Sequence, residues 1–384
     1  MQKSTDSIKS ENRVSANELS QLIKVFAKRI IEDPELATAL PPLLIHGSPG
    51  VGKSTIVKSV AKELGIGFVD VRLAEIDSVD IRGLPSVDND RHSMTWNPPE
   101  FWPRDPKSKG ILFLDEITSC PKDTQVAAYE IILDRKLGDF YRVPDGWYIC
   151  AAGNKVEDSA VAYTMSSALA NRFMHVELQE SVEDWAKWAI GHSINPAVVA
   201  FIRTRPELLF NMDNENLERG WPTPRSWEKV SHVITMMEET GAPEKFIKKA
   251  IYGLVGNAAG VEFINFYKNK TIFDDVFAAI IDPSIDYEIP DGVDKQYAVV
   301  SAIVYYLWKG KDEKDEANRL NGFFKIAMKL PSNFSTMAVV DAMSVDSEHK
   351  QISKNYSKIL LSHPMYLKWS AKHGSAMKKR IKVN

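Results

Sequence analysis

The sequence is poor in the features that mark secreted, metal-clustering and membrane-spanning proteins. Its 384 residues include only two cysteines, Cys120 and Cys150, which excludes a disulfide framework and a multi-cysteine zinc site. No apolar run approaches the about 20 residues that a membrane helix needs, and the polar start lacks the apolar core of a signal peptide. We therefore expect a cytoplasmic protein without a membrane span.

The sequence also lacks a large excess of either positive or negative charge. The net charge of −3 argues against a protein whose whole surface binds nucleic acid, although it leaves room for a local basic stripe. Hydrophobic residues make up 44% and charged residues 26% of the chain, which is ordinary for a globular protein. A chain of 384 residues has room for about two or three domains.

Short apolar segments alternate with helical patterns in the first half of the chain. Strands that are apolar throughout and alternate with helices indicate a parallel sheet covered on both faces. The fold class that we expect is therefore α/β, with a parallel five-stranded sheet. The five segments are residues 43–45, 68–69, 111–114, 148–151 and 174–176.

The rest of the chain divides by its patterns. Polar residues 1–14 predict a disordered lead-in, and 15–180 the α/β core. After about 180 only amphipathic helical patterns remain, which predict a helical lid over 181–268 and a helical C-terminal extension over 269–384. The extension ends in a basic tail, which is either a solvated terminus or a contact for nucleic acid or acidic proteins. The basic residues are Lys368, Lys372, Lys378, Lys379, Arg380 and Lys382.

One segment has the pattern G-x-x-x-x-G-K-S/T of a phosphate-binding loop. Its glycines let successive backbone N–H groups face phosphate oxygens, and the next helix offers its positive end. Lys53 would reach the β- and γ-phosphates of ATP, and the Ser54 hydroxyl would bind Mg²⁺. An ordinary glycine turn is the alternative, but the predicted strand and helix on either side favour the loop. His46, just before it, has no predicted role. The cofactor-binding residues are Gly47, Ser48, Pro49, Gly50, Val51, Gly52, Lys53, Ser54 and Thr55.

Two carboxylates follow the apolar segment 111–114. Ligands of parallel α/β sheets bind just outside the strand ends, so Asp115 would hold Mg²⁺ and Glu116 would act as general base on the attacking water. A pair of acids that opens a helix is the alternative for an isolated Asp-Glu. The phosphate loop about 60 residues upstream favours the catalytic interpretation.

With these motifs the sequence resembles the AAA+ ATPases, most closely the MoxR-like branch, from about residue 19 to 330. YICAAGN at 148–154 is similar to the sensor 1 strand, which implies that Asn154 lies beside the γ-phosphate. SALANRF at 167–173 is similar to the arginine-finger segment, which implies that Arg172 acts on a neighbour's ATP. WPTPRSW at 221–227 is similar to sensor 2, so Arg225 would read the nucleotide, in its own subunit or the next. DIRGLP at 80–85 resembles the start of the branch's insert in the second helix.

The resemblance also implies partners and an output. It implies a homo-oligomer, most often a hexameric ring, that remodels a protein client, and relatives often work with a von Willebrand factor A-type domain. Two predicted hairpins, at 85–96 and 136–147, would then face the central pore, although ordinary surface hairpins look the same. A nucleic-acid motor or loader and a slowly hydrolysing scaffold are the alternatives. Acidic net charge makes the nucleic-acid role less favoured than the protein role.

Overall fold

The computed structural model describes residues 12–88, 93–154, 165–212, 220–345 and 355–381. The chain divides into two compact units, Met1–Ser181 and Val182–Asn384. We call them the α/β unit and the helical unit and describe each by itself. In the described ranges, no helix has both the length and the apolar character that a membrane crossing requires.

The α/β unit alternates strands and helices along the chain. Its strands are β1 (Arg13–Val14), β2 (Leu43–His46), β3 (Gly67–Arg72), β4 (Leu84–Asp88), β5 (Ser93–Asn97), β6 (Gly110–Asp115), β7 (Lys136–Leu137), β8 (Tyr141–Arg142), β9 (Trp147–Gly153) and β10 (Met174–Leu178). Its helices are α1 (Ala16–Glu32), α2 (Leu36–Ala39), α3 (Lys53–Glu63), α4 (Ser78–Arg82), α5 (Lys122–Asp134) and α6 (Ser167–Ala170).

Six strands form a parallel sheet in the order β1-β10-β2-β9-β6-β3, which confirms the predicted α/β fold class. The prediction of five strands was one too few, because Arg13 and Val14 pair with the edge of β10. The predicted lead-in therefore ends two residues too late, since the backbone groups of these residues join the sheet. Residues 1–11 of the lead-in lie outside the described residues.

Alternate residues of the central strands enter two different cores. Leu44 and Leu112 face the core that contains α5, whereas Leu43, Ile45 and Phe113 face the core that contains α1 and α3. Each strand is therefore apolar on both faces, which is why its sequence shows a continuous hydrophobic run. The two short antiparallel pairs, β4 with β5 and β7 with β8, confirm the predicted hairpins; residues 89–92, between β4 and β5, lie outside the described part.

The helical unit follows at Val182. Its helices are α7 (Val182–Gly191), α8 (Pro196–Thr204), α9 (Pro224–Glu239), α10 (Glu244–Val255), α11 (Asn257–Tyr267), α12 (Thr271–Ile281), α13 (Val293–Leu307), α14 (Glu313–Lys329), α15 (Ser332–Met343), α16 (Tyr356–Ser362) and α17 (Pro364–Ile381). One core surrounds Phe201, Trp227 and Phe263, and a second surrounds Phe323 and Trp369. The division of this unit into lid and extension at 268 stays a prediction.

Candidate nucleotide site

The phosphate loop joins the end of β2 to the start of α3, as the sequence predicts. Gly50 and Gly52 have φ angles of 81° and 99°, a left-handed region that glycine enters without strain. Helix α3 is fixed by Val57, Val60 and Ala61, all buried against the sheet. The loop therefore ends in an anchored helix N-terminus, whose backbone N–H groups and positive dipole end favour an anion.

Lys53 occupies the centre of this loop. Its side chain is buried, and Nζ donates hydrogen bonds to the carbonyls of Gly47 at 2.5 Å and Ser48 at 3.1 Å. It also donates to Oδ1 of Asn154 at 3.0 Å. The structure thus brings together two predicted site residues that are 101 positions apart. An ammonium held by three oxygens is well placed to meet phosphate.

The sheet register brings the acids to the same edge. Strand β9 pairs His46 of β2 with Gly153, and it pairs Leu114 of β6 with Ala151. Asp115 and Glu116, which follow Leu114, therefore emerge at the edge where the phosphate loop begins. Oδ1 of Asp115 accepts a hydrogen bond from the backbone N–H of Glu116 at 2.9 Å. This edge is where parallel α/β sheets bind ligands.

Glu116 has two unusual properties. Its φ of 60° lies in the left-handed region, which is uncommon for a residue other than glycine. Burial raises the pKa of its carboxyl above the ordinary value, Asp115 and Glu75 raise it further, and Arg72 and Lys53 act in the opposite direction. A carboxylate with a raised pKa is a stronger base, which suits a group that polarises water.

Thr118 is a part of the site that the sequence did not reveal. Its hydroxyl accepts a hydrogen bond from the Asn154 N–H at 3.0 Å and donates to the Asn154 carbonyl at 3.3 Å. The methyl group of Thr118 would lie 2.5 Å from a Cβ at Gly153, so a glycine is required there. Thr118 therefore fixes the backbone that carries Asn154. Its only signal in the sequence is its position shortly after Asp115, which is too weak to identify it.

Arg172 lies at the other edge of the sheet. It follows α6 and precedes β10, whose first residue, Met174, pairs with Leu43 at the start of β2. The phosphate loop leaves the far end of β2, so the two features are separated by its four residues, about 13 Å of strand. The Arg172 side chain is exposed. The structure therefore does not bring Arg172 to its own subunit's phosphate loop.

Residues 43–173 match the family described as "ATPase family associated with various cellular activities (AAA)". We call residues 43–173, which match this family, the AAA domain. The match supports nucleotide binding and ATP hydrolysis by this domain.

The chain is also similar, at low sequence identity and over part of its length, to individual proteins. It is 27% identical over 221 residues to Replication factor C subunit 2 of Schizosaccharomyces pombe, which covers 54% of this chain and 62% of that protein. It thus spans less than two thirds of the relative's length. A structure from Cytophaga hutchinsonii shows 14% identity and a TM-score of 0.29, covering 82% of this chain and 86% of that one. NtrX from Brucella abortus in complex with ADP shows 15% identity and a TM-score of 0.35, covering 78% and 63%.

The chain also supplies oxygen ligands suited to Mg²⁺ beside the AAA domain's loop. These are the Ser54 hydroxyl at the start of α3 and the Asp115 carboxylate at the end of β6. Mg²⁺ is usually held by one or two protein oxygens, with phosphate oxygens and waters completing its shell. The residues therefore fit Mg²⁺ bound together with a nucleotide.

Arg225 lies outside the AAA domain, in the helical unit. It is exposed and is the second residue of α9, which begins with Pro224 after a Thr223 cap. The cap is a reciprocal pair, since Thr223 and Ser226 each bond the other's backbone N–H, at 2.9 and 2.7 Å. The WPTPRSW segment thus fixes where this helix begins. The predicted contact of Arg225 with nucleotide stays a prediction.

Proposed function

We propose that this protein is a MoxR-like AAA+ motor that assembles as a hexameric ring and remodels a partner protein. The observation that carries the proposal is the position of Arg172 at the sheet edge opposite the phosphate loop. An exposed guanidinium there serves no function at its own site, but it can complete the site of a neighbouring copy. Activity would then belong to the assembly.

The roles within one site follow from the contacts described above. Lys53, which leaves the carbonyls of its own loop, would bind the β- and γ-phosphates. Ser54 and Asp115 would hold Mg²⁺, whose bound form supplies charge neutralisation at the phosphates. Glu116 would accept the proton of the attacking water, and Asn154 would orient that water. Asn154 already contacts Lys53, which supports a common site.

The neighbouring subunit would supply Arg172. A guanidinium is always charged and can bond two phosphate oxygens at once. An arginine supplied from outside is worth about 10³–10⁵ in rate in related P-loop enzymes. Arg225 would report nucleotide from the helical unit, in its own subunit or in the next.

The hairpin of β4 and β5 supports a protein client. It exposes Leu84 and Val87 at 68% each and Met94 at 62%. Apolar side chains held out on a hairpin of the insert are suited to gripping a polypeptide, because they gain free energy when a chain covers them. We propose that this hairpin engages the client, and that the client is a protein with a von Willebrand factor A-type domain.

The second candidate function is a nucleic-acid motor or loader. It is favoured by the similarity to Replication factor C subunit 2 and by the basic residues of α17, of which Lys368 and Lys372 are exposed. Against it stands the net charge of −3. A slowly hydrolysing scaffold would show ATP-dependent assembly with very low turnover.

The decisive experiment mixes two defective variants. Arg172→Ala keeps its own Glu116, and Glu116→Gln keeps its Arg172, so each is expected to be nearly inactive alone. In mixed rings an Arg172→Ala subunit borrows the arginine of a Glu116→Gln neighbour, and partial ATPase activity returns. The matched control is Arg29→Ala, an exposed arginine of α1 that pairs with Glu32, which should stay near wild type. No recovery in mixtures that native mass spectrometry shows to contain both variants would contradict the trans role.

A further inference from the structure

Two histidines form a hydrogen-bonded chain along one face of the sheet. His46 ends β2, and His175 lies on the neighbouring strand β10. Nε2 of His46 lies 2.9 Å from Nδ1 of His175, and the two rings stack at 5.2 Å with 8° between their planes. Nε2 of His175 lies 2.7 Å from the carbonyl oxygen of Ala170.

The hydrogen-bond partners determine which ring nitrogens of His46 and His175 carry a proton. A carbonyl only accepts, so Nε2 of His175 carries a hydrogen and donates it to Ala170. With both rings neutral, Nδ1 of His175 accepts from Nε2–H of His46. A second added proton would place two N–H groups against each other, so the pair holds at most one positive charge. The pair therefore has a small set of discrete proton arrangements.

The hydrogen bonds of His46 and His175 connect the start of the phosphate loop to the segment that precedes Arg172. His46 directly precedes Gly47, whose carbonyl accepts the hydrogen bond from Lys53. Ala170 is the last residue of α6 and lies two positions before Arg172. The Ala170 carbonyl also accepts a bond from the Phe173 N–H at 3.2 Å. The chain thus tethers the segment that presents Arg172.

The charged surroundings make His46 responsive to the loop. Burial lowers its pKa, His175 lowers it further, Glu177 of β10 opposes this, and Lys53 lowers it as well. Phe173 packs edge-on against His175 at 6.3 Å, which adds no charge. A change in the position of Lys53 therefore changes the electrostatic field at His46.

We propose that His46 and His175 are positioning residues that transmit the state of a subunit's phosphate loop to its own Arg172. When Lys53 leaves the Gly47 carbonyl for a phosphate, the field and backbone at His46 change, and the His175 bond to Ala170 changes the placement of the finger segment. A subunit with a filled loop would then present its arginine correctly to its neighbour. This inference rests on the proposed trans role of Arg172.

The experiment uses the mixed rings described above and alters only His175. Asparagine at 175 keeps a polar atom near the position of Nδ1 but does not reach Ala170, whereas glutamine reaches the position of Nε2 and keeps that donor. His175→Asn in the Glu116→Gln subunit, which donates the arginine, should lower the activity of mixed rings about two- to tenfold, the value of one hydrogen bond. His175→Gln there keeps the bond to Ala170 but loses the acceptor for His46, so it should lower the activity as well, because transmission needs both bonds.

Three controls separate transmission from damage. His175→Asn in the Arg172→Ala subunit should leave mixed-ring activity unchanged, because that finger is already absent. Binding of a fluorescent ATP analogue to the donor subunit should also be unchanged. In donor subunits, Lys53→Ala and His175→Asn should have non-additive effects, since both interrupt the same chain.

The outcomes are distinguishable. No activity in the parent mixture would overturn the trans role of Arg172, and with it the inference. Full parental activity combined with no effect of His175→Asn in the donor would overturn the inference alone. An equal loss in the Arg172→Ala subunit, a loss of analogue binding, or additive effects with Lys53→Ala would show local damage and would overturn it too.

Discussion

Single residues of the site are linked by contacts that only the fold creates. Asn154 contacts Lys53 across 101 positions, and its backbone is held by Thr118, 36 positions away. The motifs predicted Lys53, Asp115 and Glu116, and the family resemblance implied Asn154, because each follows a recognisable strand. Thr118, His46 and His175 belong to no motif, and their partners are set by strand register. For that reason the sequence assigned them no role.

Variants at Glu116 and Lys53 should separate the loss of ATP hydrolysis from the loss of nucleotide binding. Glu116→Gln removes the base but leaves the phosphate contacts, so we expect nucleotide binding near wild type and turnover at least about 100-fold lower. Lys53→Ala removes the buried charge that faces the phosphates, so binding should be lost as well. Titration with a fluorescent ATP analogue and a phosphate-release assay measure the two effects. Wild-type turnover in Glu116→Gln would show that another group is the base.

Three histidines should make stability depend on pH. The pKa values of His46, His363 and His373 are lowered from 6.5, in each case first by burial. Between the lowered values and 6.5 the unfolded chain binds more protons than the native one, so the free energy of unfolding should fall as pH falls below 6.5. Urea unfolding at pH 7.5 and 5.5 measures it.

A matched pair of variants tests the cause. His363→Phe keeps a ring stacked on Phe324 but cannot take a proton, so its loss of stability between the two pH values should be smaller than that of wild type. His232→Gln, at a side chain that is 61% exposed, is the control for the loss of a surface histidine. Equal pH dependence in His363→Phe and wild type would exclude His363 as a contributor.

At the scale of elements, apolar patterns located the five longer strands of the sheet but not its two-residue edge strand. All five predicted strands are present, and the three central ones, β2, β6 and β9, are buried on both faces. Within the predicted helical lid, α10 and α11 are separate helices, because the chain turns at Gly256 with a φ of 76°. Strand β1 was missed. A strand of two residues is too short for any periodicity, and it exists only because β10 offers it a partner edge.

One buried ion pair between two helices should contribute to the stability of the helical unit. Arg203 of α8 and Asp341 of α15 lie 2.7 Å apart with side chains that are 9% and 5% exposed. Neither of the two facing atoms makes a hydrogen bond of good geometry, so the contact depends on charge. Asp341→Asn should lower the free energy of unfolding by about 3–5 kcal/mol, because it leaves a buried cation unpaired.

The double variant gives the contrast. Arg203→Met with Asp341→Leu removes both charges and fills similar volume, so it should lose less stability than Arg203→Met alone or Asp341→Leu alone. Urea denaturation of the four proteins completes the cycle. Additive losses would mean that the two side chains act independently, and that the helices α8 and α15 are held only by the apolar contacts around them.

At the scale of the whole molecule, charge bears on the identity of the partner. The chain is slightly acidic, with a net charge of −3, while Lys368 and Lys372 are exposed on α17. The local cluster is the feature that a nucleic-acid motor would use, and the overall charge is what a protein-directed motor tolerates. Composition alone does not separate these functions, because a few well-placed cations suffice for phosphate binding.

The salt dependence of DNA-stimulated ATPase activity separates the nucleic-acid role from the protein-directed role. Each phosphate contact releases counterions, and a protein with about six to ten such contacts loses about 10³–10⁵ in affinity between 50 and 200 mM salt. For a protein-directed motor we expect that single- or double-stranded DNA leaves ATPase turnover unchanged across this range. Stimulation that is strong at 50 mM and absent at 200 mM, and that Lys368→Gln with Lys372→Gln removes, would instead establish the nucleic-acid role. A pair of changes at Lys24 and Lys58, which lie on α1 and α3 of the other unit, serves as the charge-matched control, because it removes the same net charge without touching α17.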